Sequence, residues 1–135
     1  GVVHTDMGEP FSQRLRHIWI SACEQTDTQV IPDGVYAAYE GPRFETRAEV
    51  RIAQSMGVTV AGMTVVPEVV LANELNIDYA CISLVVNPAT GLGSEPVTIE
   101  EINAVIAQGS DKVKRVLSVA ASNLVAAHEQ SDQQS

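Results

Sequence analysis

The sequence is poor in basic residues and has no long hydrophobic run. Eight Lys and Arg residues stand against 17 Asp and Glu residues, which gives a formal net charge of −9 at pH 7. Nonspecific binding to nucleic acid or to an anionic membrane needs clustered basic side chains, so this charge argues against both partners. No apolar run approaches the roughly 18 residues of a membrane-spanning helix, so no membrane segment is predicted.

Cysteine is also scarce, with Cys23 and Cys81 as the two representatives. No Cys-x-x-Cys pair and no Cys/His spacing typical of zinc sites occurs, so we expect no metal site. Cys81 lies inside an apolar run, which predicts a buried small side chain. The default expectation for such a chain is a reduced, cytoplasmic protein.

What the sequence does contain is one domain's length, 135 residues, with 45% hydrophobic residues. Helical and strand patterns alternate along it. This alternation predicts an α/β fold with a largely parallel sheet flanked by helices. Helices are predicted over 10–24, 46–56, 67–76 and 98–128, and strands over 30–31, 34–39, 58–62 and 79–86.

Three predictions concern the later part of the chain. The continuous apolar segment 79–86 is typical of a strand covered on both faces. Thr98 and Glu101 have the spacing of a capping box, which predicts the start of a long helix to about His128 with a weak point near Gly109. The polar residues that follow are predicted to form a disordered tail over 129–135.

Three loops are expected at the carboxyl edge of the sheet, where ligands bind in folds of this class. The loop 40–45 presents Phe44 and Glu45 after a Gly-Pro pair. An aromatic ring beside a carboxylate suits a neutral nitrogen heterocycle, which needs a stacking face and an acceptor for a ring N–H. Alternatively, Phe44 belongs to the core and Glu45 only interacts with a helix dipole.

The other two loops carry weaker signals. Thr64 offers a hydroxyl and an N–H to an anion near a helix start, and Met63 offers an apolar surface to a sugar. Asn87 follows the apolar segment, and its amide can both donate and accept. In the alternative interpretation, Thr64 and Asn87 are ordinary turn residues.

Taken together, the motifs resemble a known family. They are Glu-Gly-Pro-Arg-Phe-Glu-Thr-Arg-Ala-Glu at 40–49, Gly-Met-Thr-Val-Val-Pro-Glu-Val-Val-Leu-Ala at 62–72, and the apolar segment ending in Asn87. These are similar to the trimeric purine nucleoside phosphorylases and methylthioadenosine phosphorylases, over nearly the whole chain. The resemblance implies phosphorolysis, in which phosphate attacks the anomeric carbon and releases a free purine and a ribose 1-phosphate. Residues 1–128 then form the carboxyl-terminal portion of a phosphorylase domain.

The resemblance also implies residue roles. Glu45 and Asn87 are the expected catalytic pair: Glu45 accepts from a purine ring N–H, and Asn87 hydrogen-bonds the purine near N7 and the 6-oxo group. Phe44 packs on the purine, Met63 lies under the ribose, and Thr64 contacts phosphate.

Three positions bear on the substrate. Family members that act on 6-aminopurines tend to have Ser in place of Glu45 and Asp in place of Asn87, so this chain resembles the 6-oxopurine enzymes. Ile99 stands near a position where ribonucleoside enzymes often have His, and an apolar side chain suits a 5′-methylthio group. The combination favours 5′-methylthioinosine. Inosine or guanosine and methylthioadenosine remain alternatives, as does an Ile99 that only packs at the helix start.

The family is typically trimeric, which implies a homo-oligomer. The segment with His4 resembles one that reaches a neighbour's ribose pocket. No cofactor is implied, and phosphate is a cosubstrate.

One departure from the family concerns phosphate. The family's Ser-bearing Gly-rich loop and Arg-x-His segment, which supply most of the phosphate site, have no counterpart here. The sequence also opens as if inside a domain. Two expectations follow: a carboxyl-terminal piece of an enzyme, inactive alone, or a noncatalytic remnant that binds purines or partners.

Overall fold

The structure, a computed structural model, describes residues 4–132 and the side chains of residues 4–129. Helices and strands alternate along the described chain, and the two strands are parallel, which confirms the predicted α/β class. The elements are α1 (Gln13–Gln25), β1 (Tyr36–Ala38), α2 (Arg47–Ser55), β2 (Val60–Gly62), α3 (Val66–Glu74) and α4 (Ile99–Asp132).

The sheet within the described residues has two strands, β1 and β2, with α2 as the connection between them. Tyr36 pairs with Val60 and Ala38 pairs with Gly62. Both strands are shorter than predicted, and residues 30–31 form no strand. Because parallel strands end at the same edge, the loops after Ala38 and Gly62 are neighbours.

The prediction of a strand over 79–86 is wrong. A strand requires a ladder partner, and none runs beside this segment in the described part of the chain. The apolar pattern is nevertheless used on one side, since Ile82 packs against a core between two helices. Val85 is 64% exposed, so the other side is uncovered.

The prediction for Cys81 is also wrong, because this side chain is exposed whereas Cys23 is buried. Cys81 and Ile82 are neighbours in the chain, and only Ile82 packs against the core. Burial raises the pKa of the Cys23 thiol, with a further contribution from the charge of Glu24.

One cluster of the core lies between α1 and α4 and is built from small residues that allow the two helices to approach closely. Val116 and Cys23 are fully buried there. The complete set of buried residues in this cluster is Ala22, Cys23, Val116 and Ala120.

Helix α4 begins at the predicted capping box. The Thr98 N–H donates to Glu101 Oε2 at 3.1 Å, and the Glu101 N–H donates to Thr98 Oγ1 at 3.2 Å. The helix passes through Gly109 without a break, and a methyl group there would lie 2.7 Å from Leu84 Cδ2, so glycine permits the close contact. Residues 129–132 are helical, and 133–135 of the predicted tail lie outside the described residues.

No helix among the described residues is long and apolar enough to cross a membrane.

Candidate active site

The loop between β1 and α2 is held at both ends. The Tyr39 N–H donates to the Gly62 carbonyl at 2.8 Å, which continues the strand pairing by one residue. At the other end Thr46 is the N-cap of α2, and its hydroxyl accepts from the Glu49 N–H at 3.2 Å. Phe44 and Glu45 stand directly before this cap.

An ion pair spans the same loop. Arg43 Nη2 donates to Glu49 Oε1 at 2.8 Å, and Arg43 Nη1 donates to Glu49 Oε2 at 2.9 Å and to the Phe44 carbonyl at 3.1 Å. Glu49 Oε2 also accepts from the Thr46 N–H at 2.7 Å. The hydrogen bonds from Arg43, followed by those from the Thr46 backbone and hydroxyl, lower the pKa of the Glu49 carboxyl from 4.5 to about 2.

This pKa makes the stability of the loop depend on pH. Because the pKa of Glu49 is lower in the folded chain than its ordinary value of 4.5, its contribution is present above pH 4.5 and is lost as the pH falls to about 2. We expect Glu49→Gln to lower Tm at pH 7 and the difference from wild type to close by about pH 2. Thermal unfolding followed by circular dichroism measures this, with Glu40→Gln as the control. A difference that stays constant over this range contradicts the assignment.

Glu45 is the one buried charged residue in the described core, with 7% of its surface exposed. No described residue donates a hydrogen bond to its carboxylate, although the charge of Arg43 acts on it. Its oxygens are nevertheless not fully enclosed, and the small exposed part of the residue includes them. Phe44 beside it is 44% exposed. A carboxylate without a protein donor, on a mostly buried residue next to an accessible ring, is suited to a ligand with an N–H on a flat ring.

Both residues open onto a cleft of about 750 Å³. The loop after Asn87 forms the opposite wall, and the first turn of α4 contributes Glu101. The lining residues are Phe44, Glu45, Arg47, Pro88, Ala89, Thr90, Gly91, Gly93, Ser94, Glu95, Pro96, Val97 and Glu101.

Met63 and Thr64 lie beside the β1–α2 loop but outside this lining. A methyl group at Gly41 would lie 2.7 Å from Met63 Sδ, so the thioether packs directly on the loop backbone. The Thr64 N–H donates to the Tyr36 hydroxyl at 3.3 Å. Met63 and Thr64 are both exposed. The first two predicted loops are therefore adjacent, as the parallel pairing requires.

The residue after Thr64 has an unusual backbone. Val65 has φ 80° and ψ −50°, and the Val66 N–H donates to the Thr64 carbonyl at 3.0 Å, which is a γ-turn at the start of α3. A β-branched residue is strained at positive φ. Val65 is only 6% exposed, so packing holds it there. The sequence Val-Val-Pro contains no signal that predicts this turn.

Asn87, Ile99 and His4 are not among the residues that line the cleft. Asn87 is half-buried directly before the cleft wall, and its Nδ2 donates to the Pro88 carbonyl at 2.8 Å. Ile99 is 60% exposed at the start of α4. His4 is exposed, and no described residue forms a hydrogen bond or ion pair with it.

Arg47 and Gly91 are cleft residues that the sequence did not single out. Gly91 has φ +83°, and a methyl group there would lie 2.6 Å from Arg47 Cγ. The stem of Arg47 therefore packs on the Gly91 backbone and joins α2 to the opposite wall. The glycines at 91 and 93 could have indicated an unusual backbone in this loop. Nothing in the sequence identifies Arg47 as the residue that packs on Gly91.

We expect Gly91→Ala to destabilise the chain by about 1–2 kcal/mol, because a side chain at positive φ is strained and because Arg47 must move. Gly93→Ala is the matched control, since its nearest neighbour would be 3.6 Å away, and we expect a change within about 0.5 kcal/mol. Urea unfolding measures both. Equal effects of the two variants would contradict the contact.

The comparisons with known proteins bear on the whole described fold. The family model for the phosphorylase superfamily matches residues 1–122. The chain belongs to the phosphorylase superfamily.

Among curated relatives, a probable 6-oxopurine nucleoside phosphorylase from Moorella thermoacetica is 38% identical over 117 residues, 87% of this chain and 45% of the relative. A probable S-methyl-5′-thioinosine phosphorylase from Pseudomonas syringae pv. tomato is 40% identical over 116 residues, 86% of this chain and 47% of the relative. The chain thus spans about half the length of the curated relatives it matches.

A solved structure likewise matches most of this chain and about half of its own length. The methylthioadenosine phosphorylase from Schistosoma mansoni in complex with adenine superposes with a TM-score of 0.87 at 30% identity, covering 93% of this chain and 50% of that one. This agreement supports the α/β fold that the sequence predicts.

Proposed function

We propose that this chain supplies the purine-binding part of a nucleoside phosphorylase that acts on 6-oxopurine nucleosides. Both of the curated relatives described above are named for enzymes of 6-oxopurine nucleosides, one of them for methylthioinosine. The observation that carries the proposal is Glu45, a mostly buried residue of the cleft lining whose carboxylate has no hydrogen-bond donor among the described residues. A 6-oxopurine has a ring N–H that would supply this donor, whereas the corresponding nitrogen of adenine is an acceptor.

The reaction places different demands on the two proposed catalytic residues. A phosphate oxygen forms a bond to C1′ while the bond from C1′ to the purine breaks, and the electron pair of that bond passes to the purine. Glu45 orients the base by accepting its N–H. Asn87 donates toward N7 and the 6-oxo group, where negative charge develops, after its amide turns from the Pro88 carbonyl. Phe44 provides the ring against which the purine packs.

The sugar and phosphate are assigned to the neighbouring loops. Met63 lies under the ribose and Thr64 contacts phosphate, the cosubstrate, at the strained start of α3. Ile99, an exposed apolar side chain, faces the 5′ substituent and favours methylthio over hydroxyl. The preferred substrate is therefore 5′-methylthioinosine, with inosine or guanosine next. Methylthioadenosine is disfavoured because Glu45 would meet an acceptor.

The remaining features of the proposal concern the whole protein. It acts as a homotrimer in which His4 reaches a neighbour's ribose pocket. It works in the cytoplasm in purine salvage, without metal or cofactor.

Phosphate-dependent release of base tests the proposal. The chain is assayed with 5′-methylthioinosine, inosine and methylthioadenosine, with and without phosphate. Turnover that requires phosphate and is fastest for methylthioinosine supports the full assignment. Faster release of adenine would overturn the substrate assignment. If no substrate turns over, hypoxanthine is titrated: saturable binding supports a base-binding part that is inactive alone, and absence of binding overturns the proposal.

A further inference from the structure

Two carboxylates interact with the guanidinium of Arg43: Glu49 in the first turn of α2 and Glu45 in the β1–α2 loop. Arg43 is the only basic residue between Tyr39 and Thr46. Its guanidinium is bound by both oxygens of Glu49, at 2.8 and 2.9 Å. The charge of Glu45 also acts on Arg43, although the two form no hydrogen bond. In the structure Arg43 is hydrogen-bonded to Glu49 and not to Glu45, whose carboxylate stays available as an acceptor.

Glu49 is well placed to hold Arg43. It lies in the first turn of α2, and its carboxylate also accepts from the Thr46 N–H at 2.7 Å and from the Thr46 hydroxyl at 2.8 Å. The capping box thus orients the carboxylate, and planar bidentate pairing orients the guanidinium of this exposed ion pair. Arg43 also donates to the Phe44 carbonyl, so a third hydrogen bond holds its guanidinium in place.

We propose that Glu49 is a positioning residue that sequesters Arg43 and so keeps the Glu45 carboxylate free to accept the purine N–H. The inference rests on the proposed function for its ligand. Arg43 is two residues from Glu45 in the chain. Once Glu49 is replaced, Glu45 is the one described carboxylate whose charge is known to attract the Arg43 guanidinium. The guanidinium then turns to Glu45 and occupies the acceptor that the base requires.

The proposed role and a purely structural role of the Arg43–Glu49 ion pair predict different effects of the variants on binding. If Arg43 and Glu49 only stiffened the loop, removing either residue or both would weaken binding equally. If Glu49 sequesters Arg43, removing Glu49 is harmful and removing Arg43 as well restores binding. Gln is the suitable replacement, since it retains the capping hydrogen bond to the Thr46 N–H while losing the charge that holds Arg43.

Calorimetric titration with hypoxanthine tests the order in four variants. We expect Glu49→Gln to weaken binding about tenfold or more and Arg43→Ala to weaken it less than threefold. The double variant is expected within about threefold of wild type. Arg14→Ala is the matched control, because it removes a different exposed ion pair, between Arg14 Nη2 and Asp78 Oδ2 at 2.7 Å. Both residues lie outside the β1–α2 loop. A double variant as weak as Glu49→Gln would overturn the proposal.

A crystal structure of the Glu49→Gln variant without ligand separates this inference from the proposed function. We expect the Arg43 guanidinium within hydrogen-bonding distance of the Glu45 carboxylate. An Arg43 that still avoids Glu45 would overturn the inference. Failure of wild type to bind hypoxanthine would overturn the proposed function, and the crystal structure would still decide the role of Glu49.

Discussion

Replacing Glu45 with Gln is expected to weaken hypoxanthine binding by about 10- to 150-fold. Hydrogen bonds to charged groups contribute about 1.5–3 kcal/mol, and Gln keeps the size of the side chain while losing the charge. The residue is only 7% exposed, so water has limited access to this hydrogen bond. Calorimetric titration at pH 7 measures the change.

Glu40→Gln is the control for this prediction, because Glu40 is an exposed carboxylate at the other end of the same loop and does not line the cleft. We expect the control to bind as wild type does. If the Glu45→Gln variant binds hypoxanthine with unchanged affinity, Glu45 does not recognise the base. Ligand binding would then not explain why this residue is mostly buried. Thermal unfolding of both variants shows whether the loop itself is intact.

Asn87→Asp is expected to change which base is preferred. The amide offers a donor to the N7 and 6-oxo acceptors of hypoxanthine, whereas a carboxylate offers only acceptors and can receive the exocyclic amine of adenine. We expect the ratio of hypoxanthine to adenine affinity to fall by about a hundredfold, since a polar group of the site that a ligand leaves unpaired discriminates strongly between ligands.

Competitive titration of the two bases measures this ratio directly. Asn103→Asp makes the same change of charge at an exposed position of α4 and is expected to leave the ratio unchanged. If Asn87→Asp lowers both affinities equally, Asn87 supports the loop through its bond to Pro88 and does not recognise the base.

The fold class could be predicted from the sequence because local signals agreed with the structure. The Thr46 and Thr98 caps begin α2 and α4, and Pro67 lies in the first turn of α3. The segment 79–86 shows the limit of such signals. Its apolar run indicates that the side chains are suited to burial. A strand also needs a neighbouring strand to hydrogen-bond with, and the sequence of the run alone does not show whether one is present.

The candidate site was partly predictable for the same reason. Phe44 and Glu45 share one loop, and the structure places both at the cleft. Arg47 was missed because its partner is the backbone of Gly91, 44 residues away in the chain. The turn at Val65 was missed because positive φ at a β-branched residue is maintained by tertiary packing against its local preference.

The most direct test of the account is the location of hypoxanthine on the folded chain. Backbone amide signals are followed by NMR during titration of the ¹⁵N-labelled protein with the base. We expect saturable shifts at Phe44, Glu45 and the non-proline residues of the loop 88–97, and no shift at the α1–α4 core. Shifts that do not saturate, or that lie on α4 beyond its first turn, would contradict the assignment of the cleft as a purine site.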